Sequence, residues 1–251
     1  MLKSYRTRQP APTPVVYTMG KVASTSVTTA LEAAGLHSHQ IHHLDKKILI
    51  ALAKPFIENS DLPKRHISQA MAYRRDYLSR RENFIFISLV RDPIARNLSA
   101  FFENLDAKPE KISEEPDADV LFAHFMKDYP HAIPLTWFDR EFGDQLGIDV
   151  FSTPFDTGRK YLYLKNRKTL LMRADCPDDL KSRILSDVFD RKIKVGQKND
   201  GADKDYADRY AGVKKRTRFS AEFVNQIYDS KFCRHFWTTA EIGQMKRRWT
   251  S

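Results

Sequence analysis

A strand, a tight turn and a helix, run together over Val15 to Gly35 (VVYTMGKVASTSVTTALEAAG), constrain this chain more than any other stretch. Val15, Val16 and Tyr17 are β-branched or aromatic, as suits a buried strand. Val27, Ala30, Leu31 and Ala34 recur at i, i+3, i+4 and i+7, the apolar stripe of a helix, and Gly35 stands where that helix should stop. Lys21 is therefore expected in the turn between them, with Ser24, Thr25 and Ser26 at the helix N-terminus. Backbone N–H groups without helical partners, the positive end of the helix dipole, hydroxyls and an ammonium converge there. That combination is an anion site, and phosphate is its usual occupant.

The triphosphatase form of such a loop, GxxxxGK[ST], is not met. Val15 stands where the first glycine belongs, Val22 follows Lys21, and the Mg²⁺-ligating hydroxyl beside the lysine is missing. The hydroxyls come later, in KVASTS. A second turn of the same kind follows Phe84–Val90 (FIFISLV), the continuous apolar run of a strand buried in a parallel sheet. Arg91 ends that strand, Asp92 suits a helix N-cap and Pro93 the first helical position. Ile94, Leu98, Phe101, Phe102 and Leu105 make the buried face of the helix, while Asp92, Arg96 and Ser99 share another stripe.

KVASTS resembles the 5′-phosphosulfate loop of sulfotransferases that use 3′-phosphoadenosine 5′-phosphosulfate (PAPS). RDPIARNLSAFF resembles their 3′-phosphate motif, an arginine at a strand end and a serine eight positions later, matched here by Arg91 and Ser99. The resemblance implies an α/β fold, a three-layer sandwich with a central parallel sheet of the P-loop nucleoside-phosphate-binding type. It implies PAPS as donor, PAP (adenosine 3′,5′-bisphosphate) as product and no metal. Lys21 would meet the bridging oxygen, Ala23, Ser24, Thr25 and Ser26 the 5′-phosphosulfate, and Arg91 and Ser99 the 3′-phosphate. Many members carry a catalytic histidine at the end of the second strand, in strings such as HxL. His42-His43-Leu44 holds that place after a strand expected over Ser38 to His43, and His42 is the preferred base of the pair. Plainer readings stand beside these: an ion pair of Arg91 with Asp92, a surface hydroxyl at Ser99, and an exposed tract or metal site at His37, His39, His42 and His43.

The remainder reads more coarsely. Asp45 can cap a helix that Pro55 should break, and a helix over Pro63–Arg81 carries a basic open face. Trp137, Phe138 and Phe142 read as core, Arg159–Leu164 and Lys168–Met172 as a strand pair, and 177–189 and Ser220–Trp249 as helical. Lys194–Lys214 reads as a polar loop or short helices. WFDREF, with Asn199, Lys204 and Tyr206, makes the chain resemble bacterial sulfotransferase-like proteins linked with capsular polysaccharide synthesis, and Lys204 would cap the donor's 3′ end.

With 251 residues, a single sulfotransferase-like domain is expected over 1–251, with 1–13 a loose lead-in and 106–160 a variable acceptor-side insertion. The net charge of +10 favours anionic partners. A glycan or small-molecule hydroxyl is the expected acceptor, nucleic acid is not the expected partner, and no apolar run is long enough for a membrane span. Cys176 and Cys233 lack metal or redox spacing and read as free thiols of a reducing compartment, and no signal sequence is expected. Animal Golgi sulfotransferases carry a membrane anchor, so the resemblance implies a bacterial cytoplasmic enzyme here. The competing classes are a P-loop nucleotide kinase or NTPase, and a non-catalytic protein of this fold that holds PAP or nucleic acid.

Overall fold

The computed structural model describes residues 12–80, 83–103, 118–196 and 218–250. Five strands, β1 (Thr13–Tyr17), β2 (His39–Ile41), β3 (Phe84–Val90), β4 (Tyr161–Leu164) and β5 (Thr169–Arg173), form one sheet in the order β2-β1-β3-β5-β4. The first four of these in spatial order run parallel, with Val15 opposite both His39 and Phe86, and Val90 opposite Arg173. β4 is antiparallel to β5, so the central sheet is parallel as expected except at this edge. The single 3₁₀ turn at Lys165–Arg167 and the left-handed Lys168 (φ 45°) explain it, because so short a link cannot make a parallel crossover. Every residue of β3 is buried, as its unbroken apolar sequence requires.

The chain leaves β1 through α1 (Ser24–Ala33) to β2 on one side, then passes α2 (Lys46–Glu58) and α3 (Arg65–Arg80) to reach β3 on the other. β1 and β3 are therefore neighbours whose onward connections diverge. A ligand crevice forms at the carboxyl ends of such a strand pair.

α2 starts where Asp45 accepts from the N–H groups of Lys47 and Ile48. The expected break at Pro55 does not occur, since Pro55 lies exposed inside α2 and the helix runs one more turn to Glu58. β2 is shorter than expected, so His42 and His43 lie in the turn that follows it. After β3 come α4 (Pro93–Glu103), α5 (Ala118–Asp128), α6 (Ile133–Phe138), a π-helical turn at Asp139–Gly143 and α7 (Asp144–Leu146). α8 (Asp178–Phe189) follows β5, and α9 (Ala221–Tyr228), α10 (Lys231–Phe236) and α11 (Thr239–Thr250) complete the described chain.

Trp137, Phe138 and Phe142 are core residues, as expected. The Tyr17 ring stacks on Phe142 at 5.0 Å and meets the edge of Trp137 at 5.1 Å, which docks α6 and the π turn onto β1. Among the described residues no helix is long and apolar enough to cross a membrane. Cys176 and Cys233 are both buried free thiols.

Candidate functional site

The turn between β1 and α1 is wound tightly. Gly20 (φ 75°), Lys21 (φ 58°) and Ala23 (φ 63°) all take left-handed conformations, and only the glycine does so without strain. Two guanidinium groups from the β3–α4 segment hold the turn in this shape. Arg96, buried on α4, donates to the carbonyls of Met19 (2.7 Å) and Gly20 (3.3 Å), and to the Tyr129 hydroxyl (2.7 Å). Arg91 donates from Nη1 to the Lys21 carbonyl at 3.0 Å. The two motif residues named from sequence, Lys21 and Arg91, therefore meet at the β1/β3 crevice.

The plainer reading of Arg91 as an Asp92 ion pair is not what the structure has. Asp92 Oδ1 accepts from the N–H groups of Ile94 (2.9 Å) and Ala95 (3.0 Å) and from the Tyr228 hydroxyl (2.7 Å), and Oδ2 accepts from Trp249 Nε1 (3.1 Å). Arg91 forms no ion pair among the described residues. The Lys21 ammonium pairs with Glu103 at the end of α4. Of the hydroxyls in the turn, Ser24 Oγ accepts from Gln40 (3.0 Å) and Ser26 Oγ donates to the Ala23 carbonyl (2.9 Å). Thr25 is exposed and Ser99 half-buried, and neither makes a hydrogen bond among the described residues. Lys204, with Asn199 and Tyr206, lies outside the described residues.

A cleft of about 590 Å³ opens at the ends of β3 and β5, between Ala23, Arg91, Arg173, Asp175, Trp237 and Arg248. Its floor is the buried Arg173, whose Nη2 lies 2.6 Å from Asp175 and 2.7 Å from Glu241, with the guanidinium carbon 5.5 Å from the Trp237 ring centre. The paired acids neutralise this arginine, so the positive rim of the cleft is Arg91 and Arg248. Ala23 and Arg91 are the expected site residues on its walls, whereas Lys21, Ser24, Thr25, Ser26, Ser99, His42 and His43 lie outside them.

The two histidines sit beside the β1 turn with different surroundings. His42 Nδ1 is 2.8 Å from the Thr18 carbonyl, so that nitrogen carries the proton, since a carbonyl only accepts. The His42 ring also covers Gly20, lying 3.7 Å from where a Cβ there would stand. Burial lowers its pKa to about 4, and the charges of His43, His66 and Lys21 push the same way. His42 is thus a neutral imidazole near pH 7. His43 Nδ1 instead lies 2.9 Å from Oε1 of Glu141, a fully buried carboxylate on the π turn.

Glu141 was not foreseen. Its Oε2 accepts from Tyr17 OH (2.5 Å), Leu44 N–H (2.7 Å) and Asp45 N–H (3.2 Å). Burial alone would raise its carboxyl pKa; the hydrogen bonds from His43, Tyr17 and Leu44 outweigh burial and hold it below the ordinary carboxylate range. A signal was present, since Glu141 stands four residues after Trp137 and so shares the stripe read as core. Arg74, expected on the open face of α3, is half-buried and donates to the Leu44 carbonyl at 2.6 Å, so the His-His-Leu turn is held from both sides. His37 and His39 pack edge to face at 4.7 Å, and among the described residues no group of His, Cys, Asp or Glu is placed to hold a metal ion.

Residues 111–238 match the family model "NKWYS: Putative capsular polysaccharide synthesis protein", slightly more than half of the chain. The matched span includes Trp137, Glu141, β4, β5 and Trp237, and leaves the Lys21 and Arg91 turns outside it. No curated protein and no solved structure matches the chain.

Proposed function

The chain belongs to the NKWYS capsular polysaccharide synthesis family, and from that premise we propose that it is a PAPS-dependent sulfotransferase acting on a hydroxyl of a glycan. The observation that carries the reading is the Arg91 guanidinium bound to the Lys21 carbonyl at 3.0 Å, which brings both anion-binding turns to the β1/β3 crevice. Lys21, Thr25, Ser26 and the amides after Ala23 would receive the 5′-phosphosulfate. Arg91 and Ser99 would receive the 3′-phosphate. The adenosine would lie in the cleft lined by Trp237, Arg91 and Arg173.

Transfer is an in-line displacement at sulfur. The acceptor oxygen bonds to sulfur, the bridging S–O bond breaks, PAP leaves, and the acceptor proton passes to a histidine of the His42-His43 pair. Negative charge grows on the bridging oxygen, and a positioned ammonium lowers the barrier there. Lys21 supplies it by exchanging Glu103 for that oxygen. The partly exposed Lys21–Glu103 pair is of the kind worth about 0–1 kcal/mol, so the exchange is easy.

Calorimetry with PAP tests the reading, together with transfer of labelled sulfate from PAPS to capsular glycans. PAP should bind, and Arg91→Ala should weaken it roughly 10- to 100-fold, the value of one or two charged hydrogen bonds. Mg²⁺-dependent ATP hydrolysis with indifference to PAP would replace the reading with a nucleotide kinase or NTPase. PAP binding without transfer would replace it with a non-catalytic protein.

A further inference from the structure

Two histidines flank the β1 turn, and the chemistry needs one proton acceptor. We infer that His43 is that acceptor and that Glu141 is its positioning residue, while His42 serves to lock the anion loop. The inference takes the reaction from the reading above, but the His43–Glu141 pair itself stands on geometry alone.

Glu141 reserves one oxygen for His43. Its Oε2 is taken by Tyr17, Leu44 and Asp45, which fixes the carboxylate, and Oε1 is left 2.9 Å from His43 Nδ1. An ionised carboxylate only accepts, so Nδ1 carries the proton and Nε2 keeps its lone pair. No described residue bonds to Nε2, and the ring is 26% exposed, which leaves it reachable by a substrate. When Nε2 takes a proton from an acceptor hydroxyl, the new imidazolium faces a buried negative charge. The other titratable and charged groups near this turn are Tyr17 from β1, His42 and Asp45 from the turn itself, and His66 and Arg74 from α3. Tyr17 is a neutral donor, because burial and then Glu141 raise its pKa. Within this set the Glu141 carboxylate is the charge in direct contact with the ring.

His42 has the opposite setting. Its Nδ1 is spent on an uncharged carbonyl, Thr18 O, and its ring is packed on Gly20 inside the anion loop. A proton added to Nε2 would meet the like charges of His43, His66 and Lys21. A base must hold its proton in the transition state, and His42 is built against that. The preference for His42 from its HxL spacing is thereby reversed.

The test uses the full chain. In ¹⁵N spectra at neutral pH, His43 should show a protonated Nδ1 and a bare Nε2; the opposite tautomer would overturn the pairing. In Glu141→Gln the donors Tyr17, Leu44 and Asp45 should hold the amide oxygen on their side, so the amide NH₂ faces Nδ1 and the ring should change to the Nε2-protonated tautomer. The acidic limb of kcat/KM should move to lower pH, because the charged form of the ring loses its negative partner. kcat should fall roughly 10- to 100-fold with KM nearly unchanged, and His43→Gln should cost about 100-fold or more. Glu141→Asp, which keeps the charge, should recover part of the shift in the limb. An unchanged His43 tautomer in Glu141→Gln would refute the inference whatever reaction the protein performs. Failure to bind PAP would refute the sulfotransferase reading and leave that tautomer result intact. Should Glu141→Gln not fold, the wild-type tautomer decides.

Discussion

At the scale of single residues, the site sets two imidazoles side by side in different protonation settings, and this has a stability consequence at His42. The folded chain lowers the His42 pKa to about 4 through burial, while an unfolded chain titrates it near 6.5. A depressed base binds fewer protons folded than unfolded. Its contribution is therefore complete above about pH 6.5 and is lost as pH falls from there through 4. Full expression of the shift would be about 3 kcal/mol, and because the ring is only half-buried we expect about 2 kcal/mol. Urea titrations at pH 7.5 and 4.5 measure it. The wild type should lose about 2 kcal/mol more than His42→Gln across that interval, since Gln can still donate to the Thr18 carbonyl but does not titrate. Equal losses would mean that the ring is not held neutral by its surroundings. Gly20 gives a second check at this scale. A Cβ there would make only ordinary contact with the His42 ring, so Gly20→Ala should cost the left-handed backbone term alone, about 1–2 kcal/mol by thermal denaturation.

Among the elements, Asp92 joins the β3–α4 turn to the C-terminal helices. It caps α4 through Ile94 and Ala95, and holds Tyr228 of α9 and Trp249 of α11 through the same carboxylate. Asp92→Ala removes the cap and leaves two buried donors unpaired, so it should cost about 3 kcal/mol in chemical denaturation. Tyr228→Phe removes one donor with its bond and should cost about 1 kcal/mol. A loss under 1 kcal/mol in Asp92→Ala would show that the C-terminal helices do not depend on this carboxylate. Asp92 also marks where sequence reading succeeds and where it stops. The cap, the buried β3 and the Lys21 turn were legible because each rests on neighbouring residues. The ties from Asp92 to residues 136 and 157 positions away were not, nor was the bond from Arg96 to a carbonyl 77 positions earlier. Arg96 read as one member of a polar stripe with Asp92 and Ser99, and only the fold, which brings α4 beside the β1–α1 turn, makes it the clamp on that turn. Pro55 misled for a different reason. A proline forbids one hydrogen bond, and an exposed helix near its end tolerates that loss.

Across the whole molecule, these ties make the crevice a junction of three strand ends and the C-terminal helices. The β1 turn is held by Arg91 and Arg96, the β3 turn by α9 and α11, and the β5 end by Arg173 with Glu241 of α11. A bisphosphate bound there would bridge segments that must separate on unfolding, so binding should appear as thermal stabilisation. At 100 times its dissociation constant, PAP should add about 2.7 kcal/mol, and at 2–4 °C per kcal/mol for a chain of this size the melting temperature should rise by roughly 5–10 °C. AMP lacks the 3′-phosphate and separates the two anion sites. In the wild type it should give a clearly smaller shift than PAP at equal concentration. In Arg91→Ala the two shifts should draw close together, because of the two groups assigned to the 3′-phosphate only the Ser99 hydroxyl remains. Glu103→Gln should enlarge the shift with both, since Lys21 no longer has to leave the Glu103 carboxylate. Equal shifts with PAP and AMP in the wild type would mean that Arg91 reads no phosphate, and the nucleotide would then have to be sought elsewhere than across the β1 and β3 turns.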